Sequence, residues 1–577
     1  MKPNAERKAI LFLILFAAVI RLWGISYGLP AVYNSTEYFL AKNALSLGAR
    51  HSLEPLYFIY PTLFTYVIAG LFALCFGIGW LTGSFHTSAD FAAAFLLNPT
   101  GFYLAGRLLN GLVFILALGV FFKLLRRAFS LRISVVLSLA FLASFNLQFY
   151  TRWMTPDALL ILGTVLVLAF IMKWIDAPPS ATDLLKSGVI CGLTISTKYN
   201  AGFLALGLLG AVLLFEERRL RVRSLAASAG SVAGGFILGS PYWLLKFSRF
   251  AHGFESIWSQ SQLAYNSHAG VPFLWVIKEM IRSEWLLGLV FIVGMIYPFI
   301  RRERRTAPLI LIFAPTILVV GGWSKQGLDY LLVSFPVILI LMGILLSRHK
   351  KLTEGRRFLM ISALVLMPSL AHLFYLDFVQ SRPDTRELAS SWIKQNIPPG
   401  TSICYDHYHY DLQLIDIKRF TSTGEGAAML PTAVKKKLWD ARSSSANYVF
   451  ISPREDLQTP SWPKNFDSSR IKTFSQNQFV LKELRHPFRS LPQISEAGAE
   501  WLILNSETYR KYLDNPALPV TNPLWENFRN KQIFYRQVFD SLTPVIVFEP
   551  NWLRAGPVIR IYRLRAGKNS REKEESD

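Results

Sequence analysis

Residues 9–37 read AILFLILFAAVIRLWGISYGLPAVYNSTE, an apolar run that ends in a turn-rich segment and then an acid, Glu37. The run from Ala9 to Tyr27 is about as long as a bilayer crossing, which takes roughly 20 residues. It carries no small-residue cleavage pattern and reads as an uncleaved span rather than a leader. Lys2, Arg7 and Lys8 precede it, so the positive-inside rule puts the N-terminus in the cytoplasm and Glu37 outside. A carboxylate at a membrane surface is costly unless it has a task.

The rest of the chain repeats this pattern. Of 577 residues, 52% are hydrophobic and 14% aromatic, which excludes an ordinary soluble enzyme. Apolar runs separated by short loops continue to about residue 377, after which Pro, Asn, Asp, Lys and Ser occur as in soluble proteins. The expected organisation is a membrane module over 1–377 and a soluble α/β domain over 378–577. The net charge of +23 sits in short loops between apolar runs, which is the signature of topology and not of a nucleic-acid face. The three cysteines, Cys75, Cys191 and Cys404, make no disulfide framework.

Loop charge fixes the crossings. Glu37 is outside and the cluster Lys123, Arg126, Arg127 and Arg132 is inside, yet two apolar stretches, about Tyr60–Trp80 and Tyr103–Phe122, lie between them. An odd number of crossings must join the two sides, so the first stretch, with Tyr60-Pro61 at its start and Gly77, Gly79 and Gly83 near its end, reads as interfacial or re-entrant. Spans are then expected near 9–27, 103–122, 133–149, 157–174, 187–197, 201–215, 224–243, 285–300, 307–322, 330–346 and 358–376. These eleven crossings leave the C-terminal domain outside the cytoplasm. The spans 187–197 and 201–215 are too short for a full crossing, and broken helices border cavities. Their connection, Ser196-Thr197-Lys198-Tyr199-Asn200, therefore places a lysine at membrane depth, where it calls for an anion; the plainer reading is a snorkelling side chain.

Two acids stand out. Glu37 precedes a helical stretch to about Leu47, with Lys42 and Arg50 on its polar side, that lies along the membrane surface. Asp157 follows Thr155-Pro156 at the mouth of a span, where it also suits a helix N-terminal cap. A carboxylate at a lipid–water boundary can take a proton from an acceptor hydroxyl while cations hold a departing lipid phosphate. The cations in position are Lys198, Arg107 and Arg152. His268 and Tyr265, in the loop Gln260–Gly270, are further candidates for contact with sugar or phosphate.

At these residues the chain resembles glycosyltransferase family 39, in the C-type fold of membrane glycosyltransferases that includes protein O-mannosyltransferases and lipid A aminoarabinose transferases. The landmarks, in order, are Arg21-Leu22-Trp23 with Gly28-Leu29-Pro30, Tyr33 to Glu37, Tyr60-Pro61, Gly106-Arg107-Leu108-Leu109, Thr155-Pro156-Asp157, Ser196-Thr197-Lys198-Tyr199-Asn200 and Gly239-Ser240-Pro241-Tyr242. The resemblance implies transfer of a sugar from a polyprenyl-phosphate donor to an extracytoplasmic protein, lipid or polysaccharide acceptor, with inversion at the anomeric carbon. It implies a multi-pass location in the inner (plasma) membrane. The expected catalytic acids are Glu37 and Asp157, with Lys198, Arg107, Arg152, Thr36, Tyr60 and His268 in contact with substrate. Relatives carry an Asp-Glu pair in the first loop, and the Asp is the expected base; here that position is Thr36. Glu37 or Asp157 then takes over, or the chain is a catalytically inactive lipid- or glycan-binding homologue in a cell-envelope assembly. A transporter is disfavoured because no inverted repeat is visible.

After residue 377 the expected elements are a helix over about 384–396, strands near 401–405, 448–451, 501–504, 545–548 and 558–562, and a helix near 507–513. The Asp406, His407 and His409 cluster reads as surface or packing rather than a metal site, and 568–577 as a charged, disordered tail. No nucleotide-binding Gly-rich loop is present. No cofactor is called for, and a divalent metal requirement, the sugar, the acceptor and the oligomeric state are left open.

Overall fold

The computed structural model describes residues 3–262, 273–323, 327–349, 355–406, 449–451, 489–514 and 525–564, with a few isolated positions between them. A helix occupies each of the eleven stretches expected to cross the membrane. Among the described residues six helices are long and apolar enough to span, or seven if the bent pair Leu131–Ala143 and Phe145–Thr151 counts as one. Several of the others, including Leu286–Arg301 and Ser334–Arg348, are shorter apolar helices. The protein is a multi-pass, mainly helical membrane protein with a small C-terminal sheet.

One segment bears on the number of crossings. Leu63–Leu81 is a continuous helix of 19 residues that runs through Gly77 and Gly79 and is itself long and apolar enough to cross. The glycines mark its end and not a break: Gly83 takes φ +75, and the amides of Thr82 and Gly83 close back on the carbonyls of Ile78 and Trp80. That is the left-handed stop that glycine supplies at helix C-termini. The surface helix after Glu37 forms over Ser35–Ala49, with Leu40, Ala41, Ala44 and Leu47 buried and Lys42 and Arg50 exposed.

Short helices Ala181–Ile195 and Phe203–Phe215 flank the Ser196–Asn200 connection. The first packs closely on Arg221–Gly239. A Cβ on Gly192 would stand 2.1 Å from the Val232 carbonyl oxygen, and one on Gly235 would stand 2.3 Å from that of Val189. Only bare backbones meet this closely, as small residues allow at helix interfaces in membranes. The pair is tied to the Leu63–Leu81 helix, where the Thr62 amide donates to Ser240 Oγ (3.0 Å), Thr62 Oγ1 to the Gly239 carbonyl (2.9 Å) and the Leu63 amide to the Ser196 carbonyl (3.1 Å).

The C-terminal sheet has order β2-β1-β3-β5-β4, with β1 Ser402–Asp406, β2 Val449–Ile451, β3 Trp501–Asn505, β4 Ile546–Phe548 and β5 Ile559–Arg563. The β2-β1-β3 ladder is parallel and β5 and β4 are antiparallel. Side chains alternate across it as strand geometry requires. Ile403, Ile503, Ile559 and Ile561 pack with Ala389 and Ile393 of the Thr385–Asn396 helix. Cys404, Leu502, Leu504 and Tyr562 pack with Tyr509, Tyr535 and Val538 of Ser506–Leu513 and Trp525–Ser541. The expected strands all form within a residue or two; the helix Trp525–Ser541 was not anticipated. His407 and His409 lie outside the described residues, as does the 568–577 tail. Cys404 is fully buried and burial pushes its thiol up. A thiolate is the reactive form, so Cys404 is expected to resist a water-soluble maleimide in the native protein and to label in denaturant. Rapid native labelling, read by mass spectrometry, would contradict its place in the sheet.

Candidate active site

Asp157 opens the Asp157–Trp174 helix behind Pro156, which pre-sets the first turn. Its side chain is not a cap. One carboxylate oxygen accepts from Thr155 Oγ1 (2.8 Å) and the other from Lys198 Nζ (3.0 Å). Lys198 sits in the break between helices with extended backbone (φ −154, ψ 130), so its ammonium is aimed inward and not toward headgroups. It donates a second bond to the Asp329 carboxylate (2.9 Å) and lies 5.1 Å from the Tyr330 ring. Asn200, on the same connection, donates to the Tyr330 carbonyl (2.7 Å).

One ammonium therefore stands between two carboxylates brought from three distant parts of the chain. Asp329 is the cluster's accessible member, with 23% of its side chain exposed against 8% for Asp157. Tyr60 lies two residues after Phe58, whose carbonyl accepts from the hydroxyl of Tyr199 next to Lys198 (3.0 Å), and is within electrostatic range of Lys198, Asp157 and Asp329. The structure thus brings together Asp157 and Lys198, both singled out in the sequence, and adds Asp329 and Tyr330. Asp329 had a visible signal, an acid directly before the apolar run 331–346, which is the signal that identified Asp157.

Three other candidates are placed differently. Glu37 is fully buried and paired with Arg107. Arg107 grips both of its oxygens, Nε to Oε1 at 2.9 Å and Nη2 to Oε2 at 2.7 Å, and the Met154 amide adds a third bond at 2.7 Å. Both oxygens of this carboxylate are thus engaged, in the two-pronged geometry that binds it most firmly, and the expected base is paired with the expected phosphate ligand. Arg107 in turn is spent on Glu37 and on the carbonyls of Ile25 (2.7 Å) and Tyr27 (2.8 Å), with its guanidinium 4.7 Å from the Trp153 ring.

Arg152 is likewise engaged elsewhere, donating to Asp377 (2.5 Å), to Gln380 (2.5 Å) and to the Trp23 carbonyl (3.3 Å). His268 and Tyr265 lie outside the described residues. Among the described residues no group of three or more His, Cys, Asp or Glu side chains is placed to hold a metal ion.

Comparison with known proteins follows this geometry. Residues 92–244 match the family model described as dolichyl-phosphate-mannose-protein mannosyltransferase, and that segment holds both Asp157 and Lys198. No curated protein sequence is significantly similar to the chain. Among solved structures, ArnT from Cupriavidus metallidurans in the apo state aligns over 96% of this chain and 98% of its own, with TM-score 0.51 and 14% identity. The same protein bound to undecaprenyl phosphate aligns over 96% and 97%, with TM-score 0.48 and 15% identity. The S. cerevisiae Pmt1-Pmt2 complex bound to the sugar donor aligns over 43% and 35%, with TM-score 0.33 and 18% identity. The C-type glycosyltransferase fold and the family resemblance read from the ordered motifs are borne out.

Proposed function

We propose that this chain, a membrane glycosyltransferase of the C-type fold, moves a hexosyl or pentosyl unit from a polyprenyl-phosphate donor to an acceptor hydroxyl, using Asp157, Lys198 and Asp329 as its reaction centre. The observation that carries this reading is the buried ammonium held between two carboxylates in the broken-helix connection. In support stand the family model, whose description names a lipid-phosphate sugar donor, and a fold shared end to end with apo ArnT.

In the proposed step the acceptor oxygen attacks the anomeric carbon as the bond from that carbon to the phosphate oxygen breaks. The polyprenyl phosphate leaves with the bonding pair. Asp329, the exposed carboxylate, takes the acceptor proton, a role typically worth roughly 10²–10⁴ in rate. Lys198 keeps its charge and faces the phosphate oxygens as they gain electron density. Asp157, held by Thr155 and Lys198, orients the ammonium. Tyr60 and Thr36 contact the donor or acceptor sugar. The site faces the non-cytoplasmic side of the inner membrane, with the N-terminus in the cytoplasm and the sheet domain outside it.

A second reading, a non-catalytic lipid- or glycan-binding homologue, is favoured by one observation: the first loop offers the site only the neutral Thr36, because Glu37 is committed to Arg107. Incubating the purified full-length protein with polyprenyl-phosphate sugars and an acceptor mixture separates the two. Release of polyprenyl phosphate supports the transferase. Saturable donor binding without release supports the second reading.

A further inference from the structure

The first loop is gripped at two points that no motif connects. Its inner grip is Arg107, which holds the Ile25 and Tyr27 carbonyls and Glu37, the two ends of the loop, on one guanidinium. Its outer grip comes from the start of the C-terminal unit. The Tyr27 hydroxyl donates to Asp384 (2.7 Å) and accepts from Arg386 Nη2 (3.0 Å), and the Arg386 guanidinium stacks 3.5 Å from the centre of the Tyr33 ring. Gly28 makes this possible. With φ +74 it folds Tyr33 back so far that a Cβ there would stand 2.5 Å from the ring, and the two tyrosine rings meet edge to face at 5.4 Å.

The outer grip is anchored in turn. Asp384 is fully buried, caps the Thr385–Asn396 helix through the Arg386 amide (2.8 Å) and takes both prongs of the Arg386 fork (2.9 and 3.0 Å). Thr385 donates from its amide to the Ala555 carbonyl (3.1 Å) and from Oγ1 to the Pro557 carbonyl (2.7 Å), next to β5. At Gly556, between those carbonyls, φ is +111 and a Cβ would stand 2.1 Å from Thr385 Oγ1. The clamp is therefore fixed to the sheet. At the other end of the loop Asn34 caps the helix that carries Glu37 (3.0 Å), and Glu37 accepts from the Met154 amide (2.7 Å), three residues before Asp157.

We propose that Asp384 and Arg386 are positioning residues of the reaction centre, holding Tyr27 and Tyr33 so that the first loop, tied through Glu37 to the Met154 amide, stays in register with Asp157, Lys198 and Asp329. The sheet unit then acts on turnover without touching substrate. This rests on the transferase reading above, so the test has one readout that needs no turnover.

Tyr27→Phe in the full chain keeps the ring and removes only the hydroxyl between Asp384 and Arg386. The expected result is a roughly tenfold lower kcat for carrier release, a KM for the lipid donor within about twofold of wild type, an unchanged unfolding temperature, and faster amide hydrogen exchange over residues 24–36. Arg386→Lys, which keeps the charge but loses the fork and the planar stack, is expected to show the same pattern. Unchanged exchange in both variants, or faster exchange with wild-type kcat, overturns the proposal. Faster exchange in a protein whose wild type releases no carrier supports the clamp and refutes the transferase reading.

Discussion

Lys198→Met is expected to lower sugar transfer by at least a hundredfold while the protein still inserts in the membrane. The ammonium is 6% exposed and is the shared partner of Asp157 and Asp329. Methionine fills a similar volume but leaves two carboxylates facing each other with no cation between them. Two consequences follow. The leaving phosphate loses its facing charge, and loss of one preorganised donor costs roughly 10²–10³ in kcat. The carboxylates must also share a proton to relieve their repulsion, which removes the free base. Carrier release from a radiolabelled lipid donor measures the effect, and a variant within threefold of wild type would rule Lys198 out of the reaction centre.

Arg107→Ala is expected to be the most destabilising single change in the membrane module. It leaves Glu37 with no exposure and no cation, and breaking a buried pair this way costs roughly 3–5 kcal/mol. It also frees the Ile25 and Tyr27 carbonyls at once. Arg107→Lys is expected to recover less than half the loss, because a point charge cannot serve Glu37 and two carbonyls together. Thermal unfolding in detergent reads the difference. An Arg107→Ala protein as stable as wild type would show that the pair is not what holds the loop.

Much of this arrangement was legible in the sequence because it rests on periodicity and charge. Apolar runs located all eleven stretches, and the shortness of two of them pointed to the Lys198 connection. Asp157 and Lys198 were found as charges at membrane depth, where solvation makes any charge conspicuous. What sequence could not show was which charges cancel. Glu37 and Arg107 are 70 positions apart and looked like a base and a phosphate ligand; in space they consume each other. Arg152 is lost to Asp377 in the same way. Asp329 carried the same signal as Asp157, an acid at the mouth of an apolar run, but only the fold brings it to Lys198. The parity argument took Tyr60–Trp80 as interfacial or re-entrant; the stretch forms one helix through Gly77 and Gly79 that stops at Gly83.

The account is tested most directly by the turnover of Asp329→Asn, measured as polyprenyl phosphate released per enzyme molecule from a lipid-linked sugar. Asparagine keeps the shape and a contact to Lys198 but cannot take a proton at neutral pH. The predicted result is a fall of at least a hundredfold with an unfolding temperature within a few degrees of wild type. Wild-type turnover in Asp329→Asn would contradict the assignment of the reaction centre.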